Sequence, residues 1–232
     1  MDGIDLPELT DGRVRLRPPE ERDVDRITTI CQDVEVQRWT RVPVPYTEDD
    51  ARRFVQLSSD RLTDGTGVHL VAVDAGVGSG GAEVGASGGA SGGASVGTSG
   101  GASGRASGLE VDPLGAAPDT EADVVLGATG IDIDLRDLSG ELGYWVAPDA
   151  RRQGIATRGS RLLLRFAFGP LQLGYVGLWT AADNAGSNAV ARSLGFTFEG
   201  TAREAILLGL PGEPDRVRGD ANRWGLRPDE LI

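Results

Sequence analysis

From Ala75 to Asp119 the chain is almost entirely glycine, alanine and serine, without one aromatic residue. Such a segment cannot bury enough apolar surface to offset its ordering entropy, so it reads as a disordered insert. Its imperfect GGAS repetition is too short and too polar to stack as a solenoid. No strand-to-helix frame surrounds it, as a phosphate-binding glycine loop requires. The fold must therefore be built by residues 1–74 and 120–232, about 185 positions, ample for one compact domain. The flanking runs VHLVAVD and ADVVLGATGIDIDL are both strand-like, which makes the insert an overgrown hairpin connection.

Periodicity places the remaining elements. GRVRLRPP alternates Val14 and Leu16 with arginines, a strand that two prolines end. EERDVDRITTICQD carries Val24, Ile27 and Ile30 or Cys31 at helical spacing. YTEDDARRFVQLSSDRL predicts a helix capped by Thr47, with Asp50 three residues later and Phe54, Val55 and Leu62 facing the core. GELGYWVA reads as a strand and ATRGSRLLLRFAFGP as a helix stopped by Gly169 and Pro170. YVGLWTA is a strand, AGSNAVARSLG a helix closed by Gly195, and FTFEGTAREA another strand. RVRGDANRW, the last strand of the order, has little apolar periodicity. Hairpin-joined strands pair antiparallel, whereas the strand–helix–strand unit from Gly140 to Ala181 requires a parallel pair. The fold class is mixed α/β, a mostly antiparallel twisted sheet with helices on both faces, and not a doubly wound sheet.

The net charge is −12, and all 23 basic residues are arginine. That balance argues against nonspecific nucleic-acid binding, which needs a basic face, and suits steering of a cationic substrate. Cys31 is the only cysteine, so intrachain disulfides and thiolate clusters are excluded. His69 is the only histidine; in the apolar run GVHLVAV it reads as a packed or edge position, and no metal site is expected. No apolar stretch approaches membrane-spanning length and the N-terminus is acidic, which points to a cytoplasmic protein, monomeric or homodimeric, without membrane or DNA partners.

The stretch ARRQGIATRG, from Ala150 to Gly159, concentrates positive charge and glycine where a helix begins. Exposed backbone N–H groups running into a helix N-terminus form an anion site, which points to a phosphate-bearing ligand. Arg151, Gly154 and Ala156 fit the pattern Arg/Gln-x-x-Gly-x-Gly/Ala, in which small residues let amides approach the anion. A solvated helix start would read the same way. The P-loop signature fails for want of a lysine, and the dinucleotide Gly-x-Gly-x-x-Gly turn is missing.

GELGYWVAPDARRQGIA, followed by a helix, a strand and NAGSNAVARSLGFTFEG, resembles the GNAT acetyltransferase superfamily in its RimJ/RimL-like branch. VRLRPPEERDVDRI and VQRWTRVPVPYTEDDARRFV resemble the same branch, so only the Gly/Ser-rich insert departs from it. The resemblance implies a GNAT fold with one splayed parallel strand pair, and acetyl-CoA as co-substrate. It assigns the strand ending in Tyr144, Trp145 and Val146 to the pantetheine arm, held as an added strand would be. It assigns the amides of Arg152, Gln153, Gly154, Ile155, Ala156 and Thr157 to the pyrophosphate, with Arg151 and Arg152 adding charge. Asn184 matches the asparagine that binds the pantetheine region, and it is also a natural cap for the helix that follows.

The activity implied is direct transfer of acetyl to a primary amine, at a protein N-terminus or on a small molecule, in a ternary complex. A backbone N–H near Val146 is the implied oxyanion donor. Many relatives carry a tyrosine as thiolate acid four positions beyond Ser187; that position is Ala191 here. Ser187 matches the serine proposed as the acid in the RimL-like branch, and helix capping would explain it equally well. Glu141 is placed to collect the amine proton, with Glu204 as the other carboxylate near a matching position. Two alternatives stay open at this level: a non-catalytic acyl-CoA-binding module, and transfer of a bulkier group such as succinyl.

Overall fold

Among the described residues, eight strands form one sheet in the order β1-β2-β3-β4-β5-β6-β8-β7. They are β1 (Leu9–Thr10), β2 (Val14–Arg17), β3 (Gly67–Asp74), β4 (Val125–Asp134), β5 (Ser139–Val146), β6 (Tyr175–Ala181), β7 (Thr197–Leu210) and β8 (Glu213–Leu226). The computed structural model describes residues 3–76, 123–210 and 213–232. The stretch expected as an insert lies outside these residues except for Ala75 and Gly76. Neighbouring strands pair antiparallel throughout, save for the parallel pair β5–β6. The sheet is the mixed one the sequence predicts, and its single parallel pair falls where the strand–helix–strand unit requires it.

Five α-helices accompany the strands among the described residues: α1 (Val24–Cys31), α2 (Val34–Trp39), α3 (Glu48–Asp64), α4 (Ile155–Phe168) and α5 (Ala185–Ser193). Local chemistry sets their ends. Thr47 accepts the Asp50 N–H and Asp50 answers the Thr47 backbone, a reciprocal box that starts α3. Gly65, at φ +79°, ends α3 in the left-handed region that favours glycine. The unpredicted α2 begins at Asp33, whose carboxylate accepts from the Glu35 and Val36 amides.

The helices cover both sheet faces. Side chains alternate along a strand, so Thr129 and Asp132 of β4 point to opposite faces. Gly159 of α4 lies against Thr129 and Ala72, whereas Arg61 of α3 pairs with Asp132. Between α4 and the sheet sit Leu163, Leu164, Phe166 and Ala167, all buried with Ile131, Leu142 and Leu178. Each fully buried leucine of this set contributes about 1.5–3 kcal/mol. The same packing fixes the start of α4 against the ends of β4 and β5.

Candidate active site

The parallel pair parts halfway along. β5 and β6 are in register from Ser139↔Tyr175 to Leu142↔Leu178 and no further, although β5 continues to Val146 and β6 to Ala181. On its other side β5 stays paired with β4 as far as Gly127↔Val146. The Ala147 N–H donates to the Leu126 carbonyl at 2.9 Å. By the alternation of an antiparallel ladder, Gly143 and Trp145 then turn their backbone groups to β4, while Tyr144 and Val146 turn theirs to the gap. An open strand edge accordingly lines a cleft of about 1010 Å³.

At the mouth of the cleft a turn leads into α4. Arg152 at φ +61° and Gly154 at φ +80° both take left-handed backbone angles. The first helical bond runs from the Arg158 N–H to the Gly154 carbonyl, at 2.9 Å. Among the described residues, the amides from Arg152 to Thr157 have no backbone acceptor outside the helix, and no side chain caps α4. Open space surrounds Gly154: a Cβ there would meet only Arg158 Nε, at 3.9 Å. Gly154, Ile155, Ala156 and Thr157 all line the cleft. This arrangement is the row of free donors, at the positive end of a helix dipole, that an anion requires.

The two arginines of the turn differ in their surroundings. Arg151 is ion-paired with Asp33, the cap of α2, so its charge is engaged before any ligand arrives. Arg152 is exposed at the turn, and Gln153 Nε2 donates to the Asp149 carbonyl at 3.0 Å.

Beyond the splay, α5 contributes Asn184 and Ser187. Asn184 Oδ1 accepts the Ser187 N–H at 3.0 Å, the capping role that the sequence allows. Ser187 is half-buried, lines the cleft, and lies 2.8 Å from the Tyr144 hydroxyl. Burial pushes the Tyr144 phenol up to about 12, the serine contact partly offsetting it. Ala191 is buried, so α5 brings no side-chain hydroxyl at the position where relatives have tyrosine.

On the opposite sheet face, Glu141 is exposed, lines the cleft, and stands across the β4–β5 ladder from Asp132. Glu204 sits in an irregular stretch of β7 at φ +50°, its N–H bonded to Asp220, and it is not among the described residues that line the cleft. His69 is packed, as expected, with its ring over Gly130; it also reaches the cleft, where Nε2 lies 2.8 Å from Asp132. Burial, helped by Arg61, lowers its pKa to about 4, so the imidazole is neutral near pH 7. Sequence reasoning missed the partners of these residues, Asp33, Asp132 and Tyr144 as a hydroxyl source, because each meets its neighbour only through the fold. No group of three or more His, Cys, Asp or Glu among the described residues could hold a metal ion. No helix among them is long and apolar enough to cross a membrane.

A sheet splayed at one parallel pair, with a helix N-terminus at its mouth, is the architecture of the GNAT acyltransferases. The chain belongs to that family: the model described as acetyltransferase (GNAT) domain matches residues 13–197. It is 36% identical over 76 residues to YdaF of Bacillus subtilis (strain 168), a candidate ribosomal N-acetyltransferase. That match spans 33% of this chain and 42% of YdaF. RimL, the ribosomal L7/L12 α-N-protein acetyltransferase solved with coenzyme A, has the same fold (TM-score 0.68, 16% identity, 97% of this chain and 99% of RimL). So does Mycobacterium smegmatis RimJ, solved with CoA-disulfide (TM-score 0.65, 18% identity, 100% of this chain and 92% of RimJ). RimL and RimJ are thus likenesses of fold, and YdaF a likeness of sequence over one segment.

Proposed function

We propose that the chain moves an acetyl group from acetyl-CoA to a primary amine, the α-amine of a protein N-terminus, by direct transfer in a ternary complex. One observation carries the reading: the open β5 edge at Tyr144 and Val146 shares a cleft with the free amides that begin α4. An extended amide-bearing arm ending in a pyrophosphate fits that pair of features, the arm as an added strand and the anion at the helix start. Coenzyme A in RimL and RimJ supports the ligand, and RimL's action on a protein α-amine supports the acceptor.

In this reading the Val146 N–H faces the thioester oxygen and stabilises the oxyanion as it forms. Glu141, on the acceptor face, takes the proton that the attacking nitrogen sheds, directly or through water. The C–S bond breaks as the amide forms, and Ser187 meets the departing sulfur. Asn184, its Oδ1 occupied by capping, offers its Nδ2 to the pantetheine arm. Glu141 and Asp132 together make the acceptor face attractive to a cation. An α-amine, with a pKa of about 7.7–8.0, then reaches its neutral form far more readily than a lysine at about 10.4. Calorimetry with acetyl-CoA, followed by thiol release against peptides with free and blocked N-termini, tests the reading. Binding together with turnover of free N-termini alone supports it, and binding without turnover overturns it.

A further inference from the structure

Ala191 leaves α5 without the helical tyrosine, yet a tyrosine hydroxyl reaches the same place from the sheet. Tyr144 points to the face that α4 and α5 cover, and its hydroxyl oxygen lies 2.8 Å from Ser187 Oγ and 3.3 Å from the Ser187 carbonyl oxygen. The phenol has one proton to give. At 2.8 Å the Oγ contact has the usual length of an O–H···O bond, whereas 3.3 Å is long, so Oγ is the better acceptor. Ser187 cannot drift from the contact, because Asn184 Oδ1 holds its amide at 3.0 Å.

We propose that Tyr144 is a positioning residue for Ser187: its O–H donates to Ser187 Oγ and thereby turns the serine's own O–H into the cleft, toward the leaving sulfur. The inference rests on the reading of Ser187 as the group that meets that sulfur. Proton transfer is not the role of the pair. An alkyl thiol titrates near 8.5, roughly three pH units below the Tyr144 phenol at about 12, so the phenol keeps its proton. No O–H bond breaks; the two hydroxyls stabilise the thiolate as a chain of donors, and the sulfur takes its proton from solvent after release. Each donor in such a chain polarises the next.

The test needs no acceptor. Coenzyme A is bound to the parent chain, to Tyr144→Phe, to Ser187→Ala and to the double variant, and its thiol is titrated by the ultraviolet absorbance of the thiolate. A hydrogen bond to a charged group predicts a thiol about tenfold more acidic on the parent chain than on Ser187→Ala. Tyr144→Phe should lose a few-fold of that acidity in the parent background and nothing more in the Ser187→Ala background. Equal losses in both backgrounds, or none in either, overturn the positioning role. An unchanged thiol in Ser187→Ala overturns the reading of Ser187 itself, and failure to bind coenzyme A overturns both. Melting temperatures of the four chains separate these outcomes from misfolding, since Tyr144→Phe keeps the ring that packs against the core.

Discussion

Arg151 and Asp33 stand 118 residues apart in the chain and meet as an ion pair that ties the turn before α4 to the start of α2. Asp33 also accepts the Glu35 and Val36 amides, so one carboxylate caps a helix and neutralises an arginine beside the anion site. Asp33→Ala should lower stability by about 0.5–2 kcal/mol, the usual loss of a cap. Asp33→Asn keeps a capping oxygen but frees the charge of Arg151, and should tighten acetyl-CoA binding severalfold at low salt. Denaturant melts and calorimetry read both effects; weaker binding by Asp33→Asn would mean that Arg151 must be held to serve the site.

Gly154 carries the closest approach expected of the pyrophosphate. At φ +80° it adopts angles that a β-branched residue resists, and a side chain would occupy the space above the free amides. Gly154→Val should weaken acetyl-CoA binding at least tenfold, about 1.4 kcal/mol. Unchanged affinity would make the turn an ordinary helix start.

The connection between β3 and β4 admits a deletion. Val73 already pairs with Val125, so a short loop can rejoin the two strands. Asp123 must stay, because it pairs with Arg15 at 2.5 Å and Arg22 at 3.0 Å. Removing residues 80–118 should leave folding and acetyl-CoA affinity intact, since loop closure depends only weakly on length. A deletion variant that cannot fold, or that no longer binds, contradicts the reading of this stretch as an insert.

His69 supplies an acid-side signature. Its folded pKa of about 4 lies below the ordinary 6.5, so between those values the unfolded chain holds a proton that the folded chain refuses. Stability present above about pH 6.5 is therefore lost as the pH falls toward 4. Melts of His69→Gln at about pH 7.5 and 5 should show a smaller acid loss than the parent chain. An identical loss would place the acid sensitivity elsewhere.

Much of this was legible in the sequence because the signals are local. The box at Thr47 and Asp50, the apolar face of α4 and the stop at Gly169 each depend on neighbours within a few residues. So does the turn from Arg152 to Gly154. What escaped was short or long-range. Six-residue α2 is too brief to show a helical period, and two-residue β1 too brief to alternate. β8 pairs on both sides with β6 and β7, yet where its burial is described the buried residues are Ala221 and the consecutive Trp224, Gly225 and Leu226, an order that hides its strand period. Within the cleft, Tyr144 with Ser187 and Asp132 with Glu141 are partners made by strand register and helix packing. Spacing along the chain carries no trace of them.

Transfer to an amine whose proton Glu141 collects is the central claim, and Glu141→Gln tests it most directly. Steady-state thiol release with acetyl-CoA and a peptide bearing a free α-amine is followed across pH, with mass spectrometry of the acetylated product. Losing a positioned base should lower turnover by roughly 10²–10⁴ while acetyl-CoA affinity stays nearly unchanged. Part of that loss should return at high pH, where more of the amine is already neutral. Near-normal turnover of Glu141→Gln at every pH, or a parent chain that binds acetyl-CoA and acetylates no amine, would contradict the account.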